Sequence, residues 1–348
     1  MPEKPIDHID FNELNAKAVS KPLVTHLFTA DPSAHVFEGR IYIYPSHDID
    51  AGVPFDDLGS HFAMEDYHVF SMEHPEAEVV DHGPVLHIRD VPWAEKQLWA
   101  PDATEKDGSY YLFFPAKDFK GIFRIGVATS GSPAGPFIPQ PQAIKNSFSI
   151  DPAVFKDNEV DYYMYFGGIW GGQLQRWRTG TFNREGDGPF VHLPAADEPA
   201  LCAKVAKLSD DLLGFAEEPK DVILLDENGI PLRQGDTERR FFEAPWVHRY
   251  NGKYYFSYST GDTHYICYAV GDNAYGPFTY RGRILNPVVG WTSHHSIVEF
   301  AGKWYLFYHD SSLSEGITHL RSMKVTELTY DEIGDIRTID PYHRMDRR

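Results

Sequence analysis

Three observations predict an all-β chain folded as a single five-bladed β-propeller. A unit consisting of a strand, a tight turn and an aromatic-rich strand occurs five times. Two of the units run on into a further strand and the same Gly-Pro-Phe corner. Aromatic residues make up 14% of the 348-residue chain, and 25 Pro with 28 Gly provide the turn chemistry that many short strands need.

In chain order, residues 1–20 are polar and weakly patterned, and are read as an N-terminal arm lying on the surface of a propeller that spans 21–348. Lys21 to Phe28 reads as a strand delivering Asp31. The first unit runs from Thr29 through the turn at Gly39 into Ile41-Tyr42-Ile43-Tyr44. The second pairs Trp99-Ala100-Pro101-Asp102 with Tyr110-Tyr111-Leu112-Phe113-Phe114 across Gly108, and the third pairs Asp151-Pro152-Ala153-Val154-Phe155 with Tyr162-Tyr163-Met164-Tyr165-Phe166. The fourth runs from Phe241-Phe242-Glu243-Ala244-Pro245-Trp246 across Gly252 into Tyr254 to Tyr258. The fifth runs from Ser293-His294-His295-Ser296 across Gly302 into Trp304 to Tyr308. The corners Gly135-Pro136-Phe137 and Gly276-Pro277-Phe278 fall at the same place in their units, so each unit extends to about four strands, the size of a propeller blade. The long interval from Gly171 to Arg240 reads as strands at Leu201–Leu208 and Val222–Leu225, with one short helical piece at Asp210–Phe215. Ile333 to Ile339 is expected to close the ring by pairing with the N-terminal blade, removing the free sheet edges.

A formal net charge of −19 repels nucleic acid and anionic membrane surfaces, leaving a neutral small molecule or a cation as the natural partner. No apolar run approaches the ~18 residues of a membrane span, and no apolar segment follows Met1-Pro2-Glu3-Lys4-Pro5, so the expected location is the cytoplasm. Cys202 and Cys267 read as ordinary buried thiols. Apart from His294 and His295, the histidines, among them His35, His47, His61, His68 and His248, show no metal-ligand spacing, so no zinc site is expected. Gly167 to Gly172 lacks the Lys-Ser/Thr ending of a phosphate loop and reads as a flexible lip, with Trp170 as a wall of the pocket. The motifs fix no oligomeric state.

In a propeller the first strand of each blade lines the central channel, so the heads of the units converge: Asp31, Asp102 with Trp99, Asp151, Glu243 and His294. A single Asp-Pro caps a turn. Carboxylates repeated at the heads of several units and brought to one cavity are costly to bury without function. Acid–base cleavage of a glycosidic bond needs two carboxyls with different pKa values, one protonated and one ionised. Glu243, flanked by Phe241, Phe242 and Trp246, has the apolar surroundings of the acid. Asp31, with Thr29 and Ser33 nearby, suits the base, and Asp151 is the third carboxylate, holding Glu243 protonated and oriented.

These motifs, in this order, resemble glycoside hydrolase family 43 from about Lys21 to Tyr342. The resemblance implies an inverting mechanism on a five-bladed propeller, with Asp31 as base, Asp151 as modulator and Glu243 as acid. It further implies that Arg321, in His319-Leu320-Arg321-Ser322-Met323, reaches the sugar in the deepest subsite and that Trp99 walls it. His294, in Ser293-His294-His295-Ser296, is implied to face a hydrated cation, calcium, held mostly by water and carboxylates. The implied substrate is a short oligosaccharide from plant cell wall. Exo-acting β-1,4-xylosidase activity ranks first and α-L-arabinofuranosidase activity second; against the first, the chain is too short for the C-terminal β-sandwich that helps close the pocket in many family xylosidases, and the open groove this would leave ranks endo-arabinanase third. A non-catalytic sugar-binding propeller is the reading of a different class.

Overall fold

A computed structural model describes residues 9–291 and 294–343. Five sheets radiate around a channel, one for each repeat. The innermost strands are Phe28–Phe37, Asp102–Lys106, Ala153–Lys156, Glu243–Tyr250 and Ser296–Phe300. Each contacts its neighbours in ring order, and the last returns to the first, so the sheets close on themselves. The aromatic strands stand second in each blade and form its core: Phe113, Phe114, Tyr165, Phe166, Phe256, Tyr258 and Phe307 are buried between blades. At both Gly-Pro-Phe corners the glycine has positive φ (+74° and +75°), and Phe137 and Phe278 are buried beneath the turn.

The ring closes differently from the sequence expectation. Ile339 pairs with Leu285 of the fourth blade, not with the N-terminal blade. The N-terminal segment instead lies along the outer strand of the fifth blade, Ser322–Leu328: the Leu23 N–H donates to Met323 O at 2.9 Å and the Thr29 N–H to Arg321 O at 2.8 Å. Lys21 to Leu27 is therefore not itself a strand, and strand pairing begins at Phe28.

Two further elements differ. Within the expected arm, Phe11–Lys17 is a short helix capped by Asp10, whose carboxylate accepts the Asn12 and Glu13 N–H groups, with Leu14 buried. Asp210–Phe215 is not helical, because Asp211 accepts the Ser209 hydroxyl and the Leu213 N–H, a local turn that competes with a helix, and Leu208 bridges Phe215.

Candidate active site

The heads of the blades owe their orientation to an unusual backbone feature. Asp31, Asp151 and Ala244 each precede a proline and have φ of 51°, 56° and 58°. Left-handed backbone at non-glycine residues is strained by about 1–3 kcal/mol and clusters at functional sites. In the first and fourth blades the strand pairing slips at this point, between Ala30 and Ser33 and between Glu243 and Trp246. By this register the counterpart of Asp31 is Ala244, and Glu243 stands one residue earlier. The acidic heads are therefore not strictly equivalent in the repeat, in contrast to the expectation from sequence.

Asp31, Trp99, Asp151, Trp170, Glu243, His294 and Arg321 line one pocket. Arg321 is 2% exposed, so it is not a surface ion-pair residue. Its Nε and Nη2 donate to the Asp48 carboxylate at 2.7 Å each, its Nη1 donates to Asp31 Oδ1 at 2.9 Å, and its guanidinium lies 4.8 Å from the centre of the Phe62 ring. The other Asp31 oxygen accepts from the Ser46 hydroxyl at 2.7 Å, and the Asp31 N–H donates to His309 Nδ1 at 2.9 Å. Burial pushes the Asp31 carboxyl up, but Arg321, His309, His294 and Ser46 outweigh it and hold the group at about 2.

Asp151 and Glu243 have the opposite environment. Burial raises both. Repulsion from Glu243 and Asp31 adds to the rise at Asp151, and repulsion from Asp31 brings Glu243 to about 8. Asp151 accepts the Ala244 N–H at 2.9 Å, which favours its charged form. His294 Nδ1 stands 3.8 Å from both Asp31 Oδ1 and Asp151 Oδ2, and burial holds its imidazole neutral. His295 turns away, with Nε2 at 2.6 Å from the Ser257 hydroxyl. Of the sequence motif, Ser293 lies outside the described residues.

Trp99 donates its Nε1–H to Phe62 O at 2.8 Å and packs on Phe123, with ring centres 4.6 Å apart. Trp170 stacks on Trp291 at 5.5 Å. Around Trp170 the glycine-rich segment is closely packed rather than a flexible lip. A Cβ at Gly171 would fall 2.6 Å from Leu58 O, and one at Gly168 or Gly172 would meet Ile150 at 2.6 and 2.7 Å. Asp102 turns into the blade interface, where its carboxylate accepts from Ser33, from the Val154 N–H and from His35 Nε2.

Four site residues escaped the sequence reading. Asp48, His309 and Phe62 carry no motif. Trp291, next to the Ser-His-His-Ser segment, was open to notice as a loop aromatic.

The model of Glycosyl hydrolases family 43 matches residues 19–335. The xylosidase/arabinosidase of Bacteroides ovatus is 58% identical over 325 residues, 93% of this chain and 98% of that protein. The β-xylosidase of Xylanibacter ruminicola is 55% identical over 314 residues, 90% and 97% of the two chains. The crystal structure of CoXyl43, a β-xylosidase/α-arabinofuranosidase from a compost microbial metagenome, in complex with xylotriose and in calcium-free form, superposes with a TM-score of 0.91 at 65% identity, covering 93% of this chain and 98% of that one. On fold, site and likeness together, the chain belongs to glycosyl hydrolase family 43 and is a glycoside hydrolase.

Proposed function

We propose that the protein is an inverting, exo-acting β-xylosidase that releases xylose from β-1,4-xylo-oligosaccharides and cleaves α-L-arabinofuranosides at the same site. The observation that carries this reading is the opposed pair of carboxyls in one aromatic-walled pocket, Asp31 held ionised at about 2 and Glu243 held protonated with a pKa of about 8. Asp31 takes a proton from the water that attacks the anomeric carbon, while Glu243 protonates the departing oxygen. Asp151 accepts the N–H of Ala244, the residue that follows Glu243, and so orients the acid, and a negative charge on Asp151 would further favour the protonated form of Glu243. Arg321 keeps Asp31 ionised and faces the bound sugar, and Trp99 and Trp170 present ring faces to it. The names of the relatives, xylosidase/arabinosidase and β-xylosidase, support pentosides and the dual activity.

His294 fits a hydrated calcium. Its neutral imidazole offers a lone pair, and two carboxylates stand 3.8 Å away, while water supplies the oxygen ligands the ion prefers. When bound, such an ion adds positive charge beside the carboxylates.

The test is hydrolysis of 4-nitrophenyl β-D-xylopyranoside and 4-nitrophenyl α-L-arabinofuranoside, each with EDTA and with added calcium, with the anomer first formed from xylobiose followed by NMR. The reading expects turnover of both glycosides, faster on the xyloside, α-xylose as first product, and a fall on chelation that calcium restores. Turnover of neither by folded protein overturns the exo-pentosidase reading, and β-xylose as first product overturns inversion. Activity indifferent to chelation removes the calcium.

A further inference from the structure

Outside the pocket, the first blade carries a cluster that the chemistry above does not use. Its second strand, Arg40–Asp48, runs antiparallel to its third, Asp66–Met72. Residues two apart on a strand share a face, so Asp66 and His68 point to the same side, and His47 meets them from the neighbouring strand. Each of the three offers one ligand atom, and these atoms all lie within 4.8 Å of one another. The His47 and His68 rings stand edge to face, 5.0 Å between centres. His47 Nδ1 is 2.5 Å from Asp66 Oδ1. Behind them, Asp81 lies 3.1 Å from His68 Nδ1 and uses its other oxygen for His26 Nε2 at 2.8 Å. The side chains of His47, Asp66 and His68 are 16%, 22% and 13% exposed, sheltered but open to a small ion.

The charge in this cluster is not balanced by any fixed cation. Among the described residues, Asp66 and Asp81 pair only with histidines, and neither meets a lysine or arginine. In the form that ligates a metal both imidazoles are neutral, and an ion there meets two carboxylates; without it the Asp66 hydrogen bond holds the His47 pKa above its ordinary value. A divalent ion supplies the missing charge. Two imidazoles and one carboxylate, with room for water, form the donor set of zinc and its neighbours rather than of calcium, which prefers oxygen. A carboxylate on the far nitrogen of a ligating histidine fixes its tautomer and ring orientation, the position Asp81 has toward His68. Sequence spacing does not mark such a site, because its ligands come from two strands rather than from one helical turn.

We propose that His47, Asp66 and His68 form a binding site for a divalent transition metal of the zinc class, with Asp81 orienting His68. The site is separate from the pocket and does not rest on the proposed activity.

The test titrates chelator-stripped protein with zinc chloride by calorimetry in excess calcium, beside a His47→Gln/His68→Gln variant whose folding is checked by circular dichroism. One zinc per chain, weakened at least ~100-fold in the variant, is the expected result, with each lost ligand costing ten-fold or more. No zinc binding by the wild type, or equal binding by both proteins, overturns the site and leaves a hydrogen-bonded histidine network. If the double variant fails to fold, Asp81→Asn decides instead, since it leaves every ligand in place: affinity about 10-fold weaker supports the site and unchanged affinity overturns it.

Discussion

Arg321 donates to Asp31 through Nη1 at 2.9 Å while Asp48 accepts from its Nε and Nη2 at 2.7 Å each. Asp48 therefore aims the guanidinium, and the guanidinium keeps Asp31 ionised against its burial. Removing Arg321 leaves desolvation as the dominant influence, so the Asp31 carboxyl rises from about 2 toward or above its ordinary 3.8. For Arg321→Met the expected result is a fall of about 10- to 100-fold in kcat/KM, the loss of a hydrogen bond to a charged group. The acid limb of the pH profile should also move upward into the measurable range. Asp48→Asn, which loosens the fork but leaves the guanidinium, should move the limb the same way by less. A pH–rate profile of both variants checks this, and an unmoved limb would show that Arg321 does not control the base.

Glu243 sets the other limb. With its carboxyl raised to about 8, activity should decline as pH passes 8, because the acid has lost its proton. The raised pKa also has a consequence for stability. The unfolded carboxyl releases its proton near 4.5 and the folded one near 8, so between these values the folded state binds more protons and stability falls as pH rises. Glu243→Gln has no proton to lose. Its melting temperature should exceed that of the wild type by a margin that widens from pH 5 to pH 8.5, worth on the order of 4 kcal/mol, since each ten-fold difference in proton affinity between the two states is ~1.4 kcal/mol. Turnover of poor leaving groups should drop about 10²- to 10⁴-fold with binding retained. Scanning calorimetry at the two pH values tests the stability claim, and a constant margin would refute the raised pKa.

The propeller was legible because each blade repeats the same turn and aromatic strand, and a repeat survives loops of unequal length. Asp31 and Asp151 were legible for a related reason: each precedes a proline at the head of a unit. The one-residue offset of Glu243 was hidden, since only the strand register reveals that Ala244 occupies the kink. Asp48, His309 and Phe62 act through contacts between the neighbouring first and fifth blades or from an irregular loop, where neither periodicity nor spacing marks them. Ring closure was misassigned for a physical reason. Ile333 to Ile339 has the pattern of an edge strand, and pattern alone does not choose which edge it joins.

A second buried ion pair joins two strands of the fifth blade. Lys324 Nζ meets Asp310 Oδ2 at 2.6 Å with both side chains essentially unexposed, and Tyr342 donates to the same oxygen at 2.7 Å. Such a pair contributes little net stability, but breaking it strands a charge. Lys324→Met should cost about 3–5 kcal/mol in urea unfolding, and adding Asp310→Leu should recover a large part of that. If the double variant is no more stable than the single one, the loss comes from packing rather than from the stranded carboxylate.

Gly261 and Gly39 offer a matched pair for testing how the acid is held. Their φ values are +71° and +75°, so alanine at either position pays a similar backbone strain of about 1–2 kcal/mol. At Gly39 a Cβ would meet nothing within 4 Å, whereas at Gly261 it would fall 2.1 Å from a ring carbon of Phe242. Phe242 is 2% exposed, lines the pocket, packs edge-on against Trp170 at 5.2 Å and immediately precedes Glu243. The ring is attached next to the backbone of the acid, so displacing it is expected to shift Glu243. Gly261→Ala should therefore lose about 1–3 kcal/mol more stability than Gly39→Ala, the usual cost of overpacking. It should also lower kcat, while Gly39→Ala leaves kcat unchanged. Kinetics at a temperature where both variants are folded separate the two effects. Equal kcat in the two variants would show that Phe242 yields without disturbing Glu243, and the aromatic packing would then account for the desolvation of the acid but not for its position.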